Sequence, residues 1–306
     1  MTTPTGRIGN PNGPPGEPEA GPTSTSVTLG RRGLLRVAFQ RPTAVVALAY
    51  LVIALLIALS ADWLAPYGFN EQILEHRHQA PGAQHWLGAD DFGRDQLTRM
   101  MHGGLNSLAA AVLATSVAVA IGGPLGLLAG YFRTAPDQIL SRFSEAIQAV
   151  PPILLALAVV TALGRGLVPA MIAVGIVSSP RVFRIVRASV IAAAAEPYVE
   201  AARSMGGSPW HVLRRHLVRP VATPLLVECV YLMSITLLTE AALAYLGLSV
   251  QPPGTSWGDL LARGIPSMEE APHLVIFPGL AIFLAVLSFN AIGESLRKAL
   301  DRSTTR

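Results

Sequence analysis

The apolar positions of this chain fall into long runs, not into the alternation of a half-buried surface. Runs at 43–61 and 105–131 contain no charged residue, and further apolar runs occupy about 146–163, 167–185, 221–247 and 274–293. A hydrocarbon core about 30 Å thick takes about 20 apolar residues in a helix. The pattern therefore predicts six spanning helices and an all-α membrane protein. The 167–185 run is the marginal one, because its uncharged part ends at Pro180, and Arg181 and Arg184 must reach an interface. Residues 1–30 are rich in Pro, Gly, Thr and Ser with no apolar period, which predicts a disordered tail. The tail does not read as a secretory signal, since no apolar stretch follows an N-terminal charge within it. Three parts result: the tail 1–30, a first helix with a polar segment over 31–104, and a core over 105–301.

Composition strengthens the membrane assignment. Of 306 residues, 51% are hydrophobic and 14% charged, against roughly 25% charged in soluble domains. The placement of arginine sets the orientation. The stretch 181–219 holds seven arginines and two glutamates, whereas 62–103 holds six acids and three arginines and 247–272 three acids and one arginine. Arginine also precedes the first run (Arg31, Arg32, Arg36, Arg41) and follows the last. Both termini, 132–145 and 181–219 are thus expected in the cytoplasm and the acidic loops outside, with Trp63, Tyr67 and Trp86 at the outer interface. Cys229 is the only cysteine, which excludes an intrachain disulfide and a cysteine metal cluster. Lys298 is the only lysine and lies between Arg297 and Ala299. A phosphate-binding loop needs Gly-Lys-Ser/Thr after a glycine-rich turn, so any ATP that powers this chain is bound by another.

The connection between the fourth and fifth runs is unusually long. From Glu196 to Pro220 its local chemistry predicts two short helices. Pro197 suits a first turn, Gly206-Gly207 an ending, Ser208 an N-cap and Pro209 the next first position. Pro220 either stops the pattern or turns it into the fifth span. Ala201 and Ala202 are small enough for another surface to approach, Glu200 and Arg203 can form ion pairs across it, and Val212, Leu213 and Leu217 form an apolar stripe. These features predict a docking element over 196–219.

Glu200-Ala201-Ala202, Gly206, His216 and Pro220 resemble, in type and spacing, the coupling loop of ABC importer permeases. His85-Trp86-Leu87-Gly88-Ala89-Asp90 with Gly93-Arg94-Asp95 and Arg99 is similar to the outer segment of dipeptide and oligopeptide permeases. So are Glu240 to Leu248 with Ser256-Trp257-Gly258, and Phe277-Pro278-Gly279 with Asn290 and Gly293. The likeness covers roughly 40–301 and points to the second permease type, with a short N-terminal helix. It departs at Arg219-Pro220-Val221, where the family often has Leu-Pro-Asn, and at Gly293-Glu294. It implies a bacterial plasma-membrane subunit that forms a path with a second, non-identical permease. Two ATPase subunits would carry ATP and magnesium, and an outer solute-binding protein would deliver di- or oligopeptides, or nickel in some members. It implies no cofactor in this chain and no nucleic acid.

Other polar residues carry competing roles. Glu228 and Glu240, roughly 18 Å apart along one helix, line a path or pair with neighbouring helices; Asn290 likewise lines a path or packs. His76, His78 and His85 suggest an outer metal site or plain loop residues, and His211 and His216 a metal pair or a polar helix face. The glycines of the second run mark a dimer contact or close packing. No nucleophile triad or Gly-x-Ser-x-Gly pattern is present, which disfavours a membrane enzyme. An ion-gradient transporter would show paired intramembrane acids and inverted repeats.

Overall fold

The computed structural model describes residues 41–304, and among them all regular structure is helical. The predicted tail 1–30 and the arginines from Arg31 to Arg36 lie outside the described residues. Helix α1 (Pro42–Leu59) begins with Pro42 at its first position, and a short α2 (Ala61–Leu64) follows. An irregular segment, with a 3-10 turn at Leu74–His76, leads to α3 (Gln96–Phe132). Asp95 caps α3: its Oδ2 accepts from the Thr98 N–H at 2.8 Å and from Thr98 Oγ1 at 2.9 Å. That cap starts the helix nine residues before the uncharged run.

Helix α3 packs against α6 (Leu167–Ala194) along a stripe of small residues. Ala110, Ala114, Ala118, Gly122, Gly126 and Gly130 recur every fourth position and are all buried. A Cβ on Gly126 would lie 2.7 Å from the Phe183 carbonyl oxygen, and one on Gly130 2.7 Å from Val190 Cβ. Only glycine lets the two backbones approach this closely, and without a hydrophobic drive between helices in lipid such contact is a main source of association. The glycines of the second run therefore serve packing within the chain.

Two predicted spans change. The run 146–163 is not one helix: α4 (Ala135–Ala149) and α5 (Pro152–Leu163) meet at 96°. Pro151 and Pro152 donate no N–H, and a residue before proline is pushed to extended backbone, as Val150 is at ψ 134°. At 1.5 Å per residue α5 is about 18 Å long, too short to cross alone. The run 167–185 is longer than expected, since α6 continues through Pro180 to Ala194. Two of its three arginines pair with neighbouring helices: Arg181 with Glu228, and Arg187 with Asp137 of α4, with Nη2 2.7 Å from Oδ2. Five helices are long and apolar enough to cross a membrane, and a sixth span exists if α4 and α5 count together.

The rest of the core comes from α9 (Val218–Tyr245), α10 (Trp257–Gly264) and α11 (His273–Thr304). Trp257, at the start of α10, donates its indole N–H to the Met100 carbonyl at 3.0 Å and packs with Ala111, Leu237 and Ile282. Helix α1 turns Val46, Ile53, Leu56 and Leu59 outward, more than half exposed, a purely aliphatic face suited to acyl chains.

Candidate functional site: the loop joining α6 to α9

Helix α7 (Pro197–Ser204) begins where Glu196 is extended and Pro197 takes the first helical position. Val199 and Ala202 face inward and join Val190, Ala193, Val212, Leu213 and Leu217 in one apolar cluster. Tyr198, Glu200, Ala201 and Arg203 face outward. The two alanines thus do different work: Ala202 lets α7 lie on the core, and Ala201 leaves the outer face low. Arg203 sits over the Tyr131 ring, 4.9 Å from its centroid, which ties α7 to the end of α3.

The chain leaves α7 through Gly206 at φ +80°, a left-handed position. The Gly206 N–H donates to the Arg203 carbonyl at 3.0 Å and the Gly207 N–H to that of Ala202 at 3.1 Å, bonds that satisfy the helix end. A Cβ on Gly206 would meet nothing within 4 Å, whereas one on Gly207 would lie 2.7 Å from the Ala202 carbonyl oxygen. Ser208 then caps α8 (Pro209–Val212), accepting from the His211 N–H at 3.3 Å.

The second short helix does not end separately. A π-turn at Leu213–Leu217 runs straight into α9. Pro220 has no N–H to donate and its ring crowds the His216 carbonyl; the wider turn accommodates both. The stripe Val212, Leu213 and Leu217, expected to face a partner, is buried in the chain's own core. Amphipathic periodicity shows that a stripe is buried, not by what. The His216 ring lies 6.2 Å from that of Tyr198 and 5.9 Å from that of His211, so it bridges the two short helices. Burial and the nearby Glu196 push the Tyr198 hydroxyl pKa up. Among the residues that stay outward are Glu200, Ala201, Met205 (82% exposed) and Trp210 (69%). Beside Trp210, a groove of about 560 Å³ is lined by Ser208, His211, Arg214 and Arg215. Met205 and Trp210, both apolar and facing outward here, were not singled out from sequence.

Glu228, Glu240 and Asn290 each pair within the chain. Glu228 forms an ion pair with Arg181 of α6. Glu240 is 1% exposed, and its Oε1 accepts from Ser249 Oγ and Ser256 Oγ, each at 2.7 Å. Since Ser256 caps α10, Glu240 fastens the 247–256 connection and α10 to α9. Asn290 accepts from Ser234 Oγ at 3.3 Å, joining α11 to α9. In the segment before α3, His85 is not a loose loop residue. Its Nε2 lies 2.9 Å from His76 Nδ1 and its Nδ1 2.8 Å from Asp95 Oδ1. No group of three metal-ligating side chains occurs among the described residues. The histidines instead hold the segment to the α3 cap.

These features define a class: a multi-pass helical membrane subunit with one long surface loop held rigidly on its core. A family model described as Binding-protein-dependent transport system inner membrane component matches residues 122–306, and one described as N-terminal TM domain of oligopeptide transport permease C matches 32–81. The chain belongs to this family of ABC importer permeases, transport subunits and not enzymes in themselves. It is 38% identical over 277 residues to a glutathione transport system permease protein of Pectobacterium atrosepticum, covering 90% of this chain and 92% of that one. It is 37% identical over 291 residues to a dipeptide transport system permease protein of Alkalihalophilus pseudofirmus, covering 95% and 94%. A chain of the inward-facing MetNI methionine ABC transporter aligns at a TM-score of 0.49 and 16% identity, covering 63% of this chain and 94% of that chain.

Proposed function

We propose that this chain is the permease of an ATP-driven importer of short peptides, with α7 and the Gly206 turn as the element that receives force from an ATPase subunit. The observation that carries this is the outward face of α7. Glu200, Ala201 and Met205 stand clear while Val199 and Ala202 lock the same helix into a cluster with α6, the π-turn and α9. A push on that face therefore moves α6 and α9 as one body. Glu200, Ala201, Ala202, Gly206, His216 and Pro220 act together here: the first two and Gly206 meet the ATPase, and the others set the loop on the core. The path forms with a second, similar permease. Two ATPase subunits bind ATP and magnesium on the arginine-rich side, and an outer binding protein delivers substrate. The relatives named for glutathione and dipeptide transport support a short peptide as cargo. The arginine bias supports a bacterial plasma membrane with both termini, including the tail 1–30, in the cytoplasm. Glu228 and Glu240 each have partners in this chain, which among the described residues leaves no free pair of intramembrane acids for an ion-gradient transporter.

The test uses the complete transporter. Glu200→Lys should abolish co-purification of the ATPase and peptide uptake while the chain stays in the membrane at normal level. Normal values of both would overturn the docking assignment. Uptake that survives ATP depletion and collapses with a protonophore would overturn the ATP-driven one.

A further inference from the structure

The face that α6 turns outward differs in kind from that of α1. Positions 181, 184, 188 and 192 fall on one side of the helix: Arg181 is half-buried, and Arg184, Ala188 and Ala192 are exposed. Beyond Val168 at its start, α6 exposes no large apolar side chain. A stripe of arginine and alanine is a poor surface for acyl chains, whereas arginine suits water. Within the stripe the arginines are not equivalent. Arg181 is neutralised by Glu228. Arg184, one turn further on, is exposed; it feels the charge of Glu228 but forms no hydrogen bond or ion pair among the described residues. Counted from Leu167 it lies about 26 Å along the axis, so the helix carries an unpaired guanidinium within its spanning length. That depth is close to the arginine-rich end of a core about 30 Å thick, where a guanidinium in a span faces a water-filled cavity or the interface.

We propose that this stripe lines the aqueous path and that Arg184 binds the C-terminal carboxylate of the peptide in transit. The inference rests on the importer reading above and deepens it. A guanidinium offers two parallel N–H donors that match the two oxygens of a carboxylate. Every linear peptide with a free C-terminus has that group, whatever its side chains, so one such contact serves a permease that accepts many sequences. Arg181 cannot share the task while it holds Glu228, and the neighbouring Ala188 leaves room for the substrate backbone.

The experiment uses the assembled transporter in nanodiscs, with both faces open to reagent. In a Cys229→Ser chain, Arg184→Cys should react with membrane-impermeant methanethiosulfonate ethylsulfonate. A saturating dipeptide should slow the reaction; in the chain that keeps Arg184, the same dipeptide amidated at its C-terminus should need a roughly tenfold higher half-saturating concentration for uptake, a difference that Arg184→Gln should erase. No labelling, or labelling indifferent to the dipeptide, overturns the proposal. Labelling that changes only when anionic lipid is removed assigns Arg184 to headgroups and overturns it too. In parallel, Arg184→Gln should raise the half-saturating dipeptide concentration for uptake roughly tenfold, the loss of one charged hydrogen-bonded contact. Its peptide-independent ATPase rate should be unchanged, and Arg184→Lys should recover part of the affinity. Equal loss of uptake and basal ATPase would make Arg184 structural. If the unmodified transporter shows no ATP-dependent uptake, the importer reading fails instead, which separates the two.

Discussion

Gly206 allows the docking assignment to be separated from simple loop integrity. Its φ of +80° is left-handed, and a Cβ there would meet no atom of this chain within 4 Å. Gly206→Ala therefore costs the isolated chain only backbone strain, about 1–2 kcal/mol. Asparagine enters this region more readily than alanine, so Gly206→Asn should strain the loop less while projecting further into the space outside. If the turn matters only for folding, alanine is the worse substitution. If an ATPase subunit fits over it, asparagine is worse and Gly206→Trp worst, because the added atoms clash with the partner alone. The assay measures ATPase retained on the purified permease and ATP-dependent peptide uptake, alongside the thermal midpoint of the permease by itself. The expected order of retained ATPase is Gly, Ala, Asn, Trp, with tenfold weaker association for each 1.4 kcal/mol of clash. Gly207→Ala is the internal control: its Cβ would press on the Ala202 carbonyl, so it should lower the midpoint of the isolated chain. Asparagine retaining more ATPase than alanine, or tryptophan matching glycine, would refute the reasoning.

Other substitutions probe the scaffold. Gly126→Val places its Cβ against the Phe183 carbonyl and Val186, which forces α3 from α6; overpacking of this kind costs about 1–3 kcal/mol, and monodisperse yield after detergent extraction should fall. Glu240→Ala removes the acceptor shared by Ser249 and Ser256, a loss of about 1–3 kcal/mol for two ordinary hydrogen bonds. Protease sensitivity of the 247–256 connection should rise, with ATPase retention unchanged.

Much of the fold was legible along the chain, because a helix in lipid satisfies its own backbone and needs only enough apolar residues in a row. The runs that became α1, α3, α9 and α11 carry that signal outright. The third run failed because hydropathy counts Pro151 and Pro152 as neutral, while their missing N–H groups break the ladder. The fourth was cut short for the opposite reason. Arg181 reads as a polar stop, yet Glu228 of α9 neutralises it, Asp137 of α4 does the same for Arg187, and the helix continues. In the loop, Pro197, Gly206 and Ser208 were correctly placed as cap and turn residues, since each acts on its own backbone. The fate of Val212, Leu213 and Leu217 was not legible, because a stripe does not name its partner.

Sequence alone determined that this is a six-run membrane chain with a long arginine-rich loop. Those properties depend on local composition, hydropathy and the presence of particular residue types. The tertiary structure decided which groups are spoken for. It spent Ala202, Glu228, Glu240 and His85 on internal contacts and left Glu200, Met205, Gly206 and Arg184 facing outward. Burial and pairing are long-range properties: whether a charge in a span is free depends on which helix lies beside it, and that is set only when the small-residue stripe of α3 brings α6 into place.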